Sequence, residues 1–129
     1  AVEKVGYLRE AVRLTSALDR KLLDRIDALA LRLADLGVAL DGDETVARRQ
    51  EPTTPGLSSR VDQVVYGLDG NQSGPTTTMR EGLAIAKRQF GPWLAGLEAA
   101  TSEIRALEGE LEKAKAPYTP GRLPAWDGR

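Results

Sequence analysis

The chain has 129 residues, of which 41% are hydrophobic and 29% charged, with 18 basic and 19 acidic residues and a net charge of −1. This balance suits one globular domain with a packed core, and it excludes the basic surface that nucleic-acid or anionic-membrane binding requires. The sequence contains no Cys and no His, which excludes disulfides, thiolate or imidazole catalysis and the usual zinc sites.

The first predicted element is one long amphipathic helix from about Val2 to Leu40. Apolar or neutral residues recur at steps of three and four, a period of about 3.5, and Asp41-Gly42-Asp43 closes the pattern with turn-forming residues. Such a helix needs a partner along its length, because a single apolar stripe cannot bury itself. The stripe consists of Leu8, Val12, Thr15, Leu18, Leu22, Ile26, Leu29, Leu33, Leu36 and Leu40.

Shorter elements follow in the middle of the chain. Asp43–Gln50 predicts a helical turn or a short helix, and Arg48–Gly56 is a proline-containing linker. Leu57–Gly70 predicts a short helix capped by Ser58 or Ser59. One side of this helix is apolar, and its three valines also allow a strand, but a single strand has no partner elsewhere in the sequence. The apolar side consists of Val61, Val64, Val65 and Leu68.

A second long helix is predicted from about Thr76 to Ala116. Thr78 with Glu81 forms a capping box at its start, and Pro75-Thr76 is an alternative entry. Pro92 removes a backbone donor, but the apolar pattern continues across it, which favours one kinked helix over two. The apolar positions are Met79, Leu83, Ala86, Phe90, Leu94, Leu97, Ile104, Leu107, Leu111 and Ala114.

Together these elements predict an all-α fold. The two long helices form an antiparallel hairpin, which the short helices complete to a three- or four-helix bundle. We assign residues 1–116 to this bundle and residues 117–129 to an extended, proline-rich C-terminal tail. Tyr118 and Leu123 of the tail are expected to pack on the bundle, and the surface that receives Trp126 stays open.

No group of residues predicts a catalytic, cofactor-binding or metal site. The carboxylates of the last helix fall mostly off the apolar stripe and are interpreted as a solvated face. Trp93, beside Pro92, is interpreted as a packing or interface residue rather than a ligand-binding aromatic. The carboxylates are Glu98, Glu103, Glu108, Glu110 and Glu112.

Three stretches resemble a known group of proteins: "LSSRVDQVVYGLDG", "GPTTTMRE" and "APYTPGRLPAW". They are similar to the C-terminal helical extension of bacterial sortilin-like or BNR-repeat β-propeller proteins, often labelled glycosyl hydrolases. Leu57–Leu68, Pro75–Glu81 and Pro120–Pro124 occupy the places of that group's motifs, although Ser58 stands where the pattern has Asn. The propeller's Asp-box motif does not occur in this sequence, so these residues cannot carry the activity that the group's label suggests.

We therefore expect a non-catalytic accessory or interaction domain of a larger bacterial protein. It acts by docking or oligomerisation through apolar helix faces, and Trp93, Tyr118, Leu123 and Trp126 are the candidate interaction residues. The expected partner is a neighbouring domain of the parent protein, another protein or a second copy of the chain. The alternative is a stand-alone helical adaptor that binds a peptide or a small apolar ligand.

Overall fold

A computed structural model of the chain describes residues 1–15, 20–69, 74–117 and 120. Over these residues the protein is all-α, with 80% of positions in helices and none in a strand. This confirms the predicted fold class. The five helices are α1 (Val2–Arg13), α2 (Arg20–Asp41), α3 (Glu44–Arg48), α4 (Leu57–Leu68) and α5 (Thr77–Lys113).

The first long element is two helices rather than one. α1 ends at Arg13, and the Thr15 hydroxyl donates to the carbonyl oxygen of Ala11 at 2.7 Å. Thr15 is not helical, and a Thr hydroxyl that binds a backbone carbonyl four residues earlier competes with helical hydrogen bonding. The prediction of a single helix over Val2–Leu40 is therefore wrong, and Leu18 of its stripe lies outside the described residues.

α3 and α4 lie where the pattern predicts helices, but the start of α4 differs. Its first flanking residue is Gly56, with no side-chain cap, so the predicted capping by Ser58 or Ser59 is wrong. The Ser58 hydroxyl instead donates to Oδ1 of Asp41 at the end of α2, at 3.1 Å. The side chain that was expected to cap α4 thus ties α4 to α2.

α5 confirms the prediction of one helix that runs through Pro92. Its N-terminus is the alternative entry, because the Thr76 hydroxyl accepts a hydrogen bond from the N–H of Met79 at 3.3 Å. The helix begins at Thr77, so the capping box of Thr78 and Glu81 is wrong.

α3 and α5 end with the same backbone geometry. Beyond α5, the N–H of Lys115 donates to Glu112 and that of Ala116 to Leu111, at 3.0 and 2.9 Å. Lys115 is left-handed, with φ 55°, and Gln50 takes the equivalent place after α3, with φ 58°. Each is a Schellman-type helix end that carries a long side chain where glycine is usual.

The chain divides into two compact units, Ala1–Leu33 with Glu98–Arg129 and Ala34–Leu97. In the first unit, α1 and the parts of α2 and α5 that belong to it each bury an apolar stripe, which confirms most of the predicted core positions on these segments, while Thr15 and Ala114 are only partly buried. Burying these side chains supplies most of this unit's stability, at about 25 cal/mol per Å² of apolar surface. The buried set is Val5, Leu8, Ala11, Val12, Leu22, Ile26, Leu29, Leu33, Ala100, Ile104, Leu107 and Leu111.

Ion pairs join the three helices of the first unit. Nζ of Lys4 in α1 lies 3.1 Å from Oε1 of Glu108, which is only 9% exposed. Arg25 in α2 donates to both carboxylate oxygens of Glu110 at 2.9 Å. The expected solvated face is therefore wrong for Glu108, and Glu103 and Glu110 pair with side chains of α2. The other inter-helix pairs are Arg9–Asp27, Arg25–Glu103 and Arg32–Glu103.

In the second unit, Gly56 packs against the backbone at the end of α2. A Cβ placed on Gly56 would lie 2.5 Å from the Leu40 carbonyl oxygen and 2.6 Å from the Gly42 nitrogen. Real Cβ atoms do not approach backbone so closely, and backbone cannot swing aside as a side-chain tip can. A glycine is therefore required where the chain crosses the end of α2 and enters α4.

Replacing Gly56 by Ala should destabilise the protein by about 1–3 kcal/mol, because the new methyl group overlaps fixed backbone. Gly37→Ala is the matched control in the same unit, since a Cβ there meets nothing within 4 Å. In the interior of α2 this control should stabilise by about 0.5–1 kcal/mol. Urea unfolding of both variants measures the difference, and equal effects of the two would contradict the close packing of Gly56.

Candidate functional site

The second unit leaves large apolar side chains exposed that the pattern predicts as buried. Leu83 is 47% exposed and Phe90 51%, whereas Ala86 between them is buried. The predicted α5 stripe is thus confirmed as core at Ile104, Leu107 and Leu111 in the first unit and wrong for Leu83, Phe90 and Leu94 in the second. Among the described residues of this unit, the exposed large apolar ones are Val38, Val61, Val65, Tyr66, Leu68, Leu83, Phe90 and Leu94.

Part of this exposed surface forms a groove between α4, α5 and the end of α2, which we call the apolar groove. Its cavity volume is about 600 Å³. α4 and α5 run in opposite directions along it, because Gly67 lies beside Met79 while Gln63 lies beside Gly82. The walls are apolar and two charged side chains of opposite sign stand at the rim. The groove is lined by Leu40, Leu57, Ser58, Val61, Asp62, Leu83, Ala86, Lys87 and Phe90.

A second cavity, also of about 600 Å³, lies between the end of α2, the linker before α4 and the middle of α5. We call it the tryptophan groove. Trp93 lines it, and Nε1 of Trp93 donates to the Leu36 carbonyl oxygen at 2.9 Å. The Phe90 and Trp93 rings stack with centroids 6.0 Å apart and 27° between planes. The linker residues on its wall are Thr53, Thr54, Pro55 and Gly56.

Of the four predicted interaction residues, Trp93 lies in the part of the chain that the structure describes. Trp93 is half-buried, and its only polar atom is already bonded inside the unit, so its ring face is what the groove offers. Tyr118, Leu123 and Trp126 lie outside the described residues. The sequence pattern did not predict that Val61, Leu83 and Phe90 are exposed. The signal for them is that the apolar positions of Met79–Leu97 cover more than one helix face, which is wider than one buried stripe requires.

The pKa of Asp43, on the wall of the tryptophan groove, is lowered by its hydrogen bonds. Its carboxylate accepts from the Thr45 hydroxyl at 2.6 Å and from the N–H groups of Thr45 and Val46 at 2.8 and 3.2 Å. These hydrogen bonds, led by that of the hydroxyl, lower the pKa of Asp43 below its ordinary value of 3.8, and Arg49 adds a smaller lowering. Asp43 is thus the N-cap of α3, and its side chain stabilises the helix most when the carboxylate is charged.

Among the described residues, no group of acidic side chains is arranged to hold a metal ion, and no helix is long and apolar enough to cross a membrane. Glu103, Glu108 and Glu110 of the first unit lie in inter-helix ion pairs. The chain matches no protein-family model, no curated protein and no solved structure. The exposed apolar surface of the second unit is therefore the feature from which a function is best argued.

Trp93→Phe should destabilise the protein by about 1 kcal/mol, because the part-buried hydrogen bond to Leu36 is lost while the aromatic ring stays. Thermal or urea unfolding with circular dichroism detection measures the change. Tyr66→Phe is the control, since Tyr66 is 73% exposed and the loss of its hydroxyl should change stability by less than about 0.5 kcal/mol. A neutral Trp93→Phe would show that the hydrogen bond contributes nothing.

The free energy of unfolding should depend on pH through ionisation of the Asp43 carboxylate. Its pKa is lower in the folded state, so the stability it contributes is fully present above its ordinary value of 3.8 and is lost as pH falls through the folded value. Asp43→Asn keeps an acceptor but does not titrate, so its deficit relative to wild type should shrink as pH falls below about 4. Urea unfolding across this range is the measurement. Thr45→Val, which removes the largest cause, should flatten the dependence in part, and an unchanged profile in both variants would refute the assignment.

Proposed function

We propose that the chain is a non-catalytic interaction domain that docks through the apolar surface of its second unit. One observation carries this: eight large apolar side chains are exposed in this unit, while its buried apolar residues are Leu57 and Ala86. Contiguous exposed apolar patches on soluble proteins mark interaction sites more often than chance placement, because each exposed side chain forgoes the free energy of burial.

The proposal extends to the parent protein and to the arrangement of the helices. The two long helical arms form an antiparallel hairpin completed to a bundle, which belongs to a larger bacterial propeller protein of the sortilin-like or BNR-repeat kind. The likeness of Leu57–Leu68 and Pro75–Glu81 to that group's motifs supports this. The first of these stretches is α4, on which the apolar side chains Val61, Val65 and Leu68 are exposed. A neighbouring domain in the parent protein is then a natural partner for this surface.

Docking would follow the usual energetics of a helix-face interface. Covering Phe90 and Leu83 removes apolar surface from water, and the charged rim of Asp62 and Lys87 orients the partner without supplying much affinity. Phe90 is 51% exposed and lines the apolar groove, and large aromatic side chains are typical anchors of such interfaces. Phe90 is therefore the side chain on which affinity should depend most.

A second candidate function is capture of a peptide or small apolar ligand. The volume of the two grooves favours it, since about 600 Å³ falls within the range of ligand pockets. The exposed ring of Phe90 and the face of Trp93 would then contact the ligand. The first proposal has more support, because the exposed apolar residues Val65, Leu68 and Leu94 are not among those that line either groove.

Binding to the domain encoded next to this chain in its gene tests the proposal. Titration calorimetry of the separately expressed partners should show association, and Phe90→Glu should weaken it more than about tenfold, because a charge would replace an anchor in the buried interface. Leu31→Glu is the control, since Leu31 is 69% exposed but belongs to the first unit.

Equal binding by both variants would place the interface elsewhere, and absence of binding would contradict docking on that neighbour. A fluorescent apolar probe, anilinonaphthalene sulfonate, distinguishes the second candidate. Probe binding to the folded wild type that Phe90→Glu abolishes, together with no binding to the neighbouring domain, would favour ligand capture. Turnover of glycosides by the isolated chain would overturn the non-catalytic assignment.

A further inference from the structure

Six of the exposed apolar residues of α4 and α5 form two rows at helical spacing, one on each helix. Val61, Val65 and Leu68 follow one another at i, i+4 and i+7 along α4. Leu83, Phe90 and Leu94 follow at i, i+7 and i+11 along α5. These spacings place each row on one side of its helix. We call the six residues the apolar face; Val61, Leu83 and Phe90 of it line the apolar groove.

The charges on the rim of the groove are arranged across it. Asp62 stands on α4 and Lys87 on α5, and both line the same cavity. Because Gln63 lies beside Gly82 and the helices run in opposite directions, Asp62 and Lys87 are offset by only about one helical turn along the groove. Each wall of the groove therefore carries one charge, and the two charges are opposite in sign.

We propose that the occupant of the apolar face is a second copy of this chain, related by a two-fold axis that runs along the groove. This rests on the proposed function, which assigns docking to the same surface. Such an axis places α4 of each copy over α5 of the other, because the rotation exchanges left and right across the groove. Asp62 of one copy then meets Lys87 of the other, twice in the dimer. A two-fold axis perpendicular to the groove would instead place α4 over α4 and α5 over α5. Asp62 would then face the side that carries Asp62 in the other copy, and Lys87 the side that carries Lys87.

The size of the face agrees with a reversible dimer. Val65, Phe90 and Leu83 are about half exposed, at 57%, 51% and 47%, and the other three members of the face are between 37% and 42% exposed. Covering the face in both copies would bury on the order of 1,000 Å² in total, close to the lower limit for a specific interface. We therefore expect a dissociation constant on the order of micromolar, and two charge pairs that decide the orientation.

Sedimentation velocity of the isolated chain, from about 0.1 µM to about 100 µM, tests the dimer, since this range brackets the expected constant. The sedimentation coefficient should rise with concentration for wild type and for the control Leu31→Glu, whose position is in the first unit. Phe90→Glu should stay monomeric. Helical circular dichroism and an unchanged melting temperature show that each variant is folded.

The charge pairs permit a sharper test of the axis. Asp62→Lys alone should weaken its own dimer about tenfold, and so should Lys87→Asp alone, because each brings like charges together at two places. Mixing the two variants should restore association, since the mixed dimer has two opposite-charge pairs. Asp62 and Lys87 are both exposed, so neither substitution disturbs a core.

A monomer at every concentration would overturn the proposal, while retained binding to the neighbouring domain would leave the proposed function standing. A dimer that Phe90→Glu does not disrupt would also overturn it, because the contact would then lie on another surface. Mixed variants that associate no better than the single ones would overturn the two-fold axis along the groove.

Discussion

The second unit depends on the contact between Gly56 and the backbone at the end of α2. No side chain fits between Gly56 and the Leu40 carbonyl oxygen, so the linker can pass there only as glycine. This crossing brings Leu57 into a buried position and starts α4 directly against α2. The hydrogen bond from Ser58 to Asp41 holds the same junction from its polar side. The walls of both grooves include Gly56 or Leu57, so the cavities exist because this junction is tight.

The two units use their apolar residues differently. The first unit buries aliphatic side chains from three helices, and ion pairs join these helices at the surface. Its apolar residues therefore form a core without any partner. The second has a similar supply of Val, Leu and aromatic residues but buries few of them. Since exposed ion pairs contribute less than about 1 kcal/mol each, the difference lies in apolar burial. That unit retains apolar surface that a partner can cover.

The sequence predicts the helices of this protein better than it predicts their burial. The spacing of Ile104, Leu107 and Leu111 indicates a buried face, and the structure buries all three. The same spacing runs through Leu83 and Phe90, yet these are exposed, because periodicity shows which residues share a face and not whether another helix covers it.

The end of α1 escaped prediction for a related reason. The apolar phase continues from Val12 through Thr15 to Leu22, so the period alone does not mark the helix end. The helix end is marked instead by a local hydrogen bond, which the Thr15 hydroxyl donates to the Ala11 carbonyl oxygen. The apolar groove could not be predicted from the sequence. It depends on how α4 lies against α2 and α5, and the close packing of Gly56 that positions α4 exists only in the folded protein.

The left-handed residues that close α3 and α5 have an evolutionary consequence. Gln50 and Lys115 hold backbone angles that glycine adopts freely and that a residue with a Cβ adopts at a cost. Selection removes variants that fall below the stability a function requires, and it does not drive every position to its optimum. The two helix ends are therefore positions at which a single substitution by glycine can raise the stability of the fold.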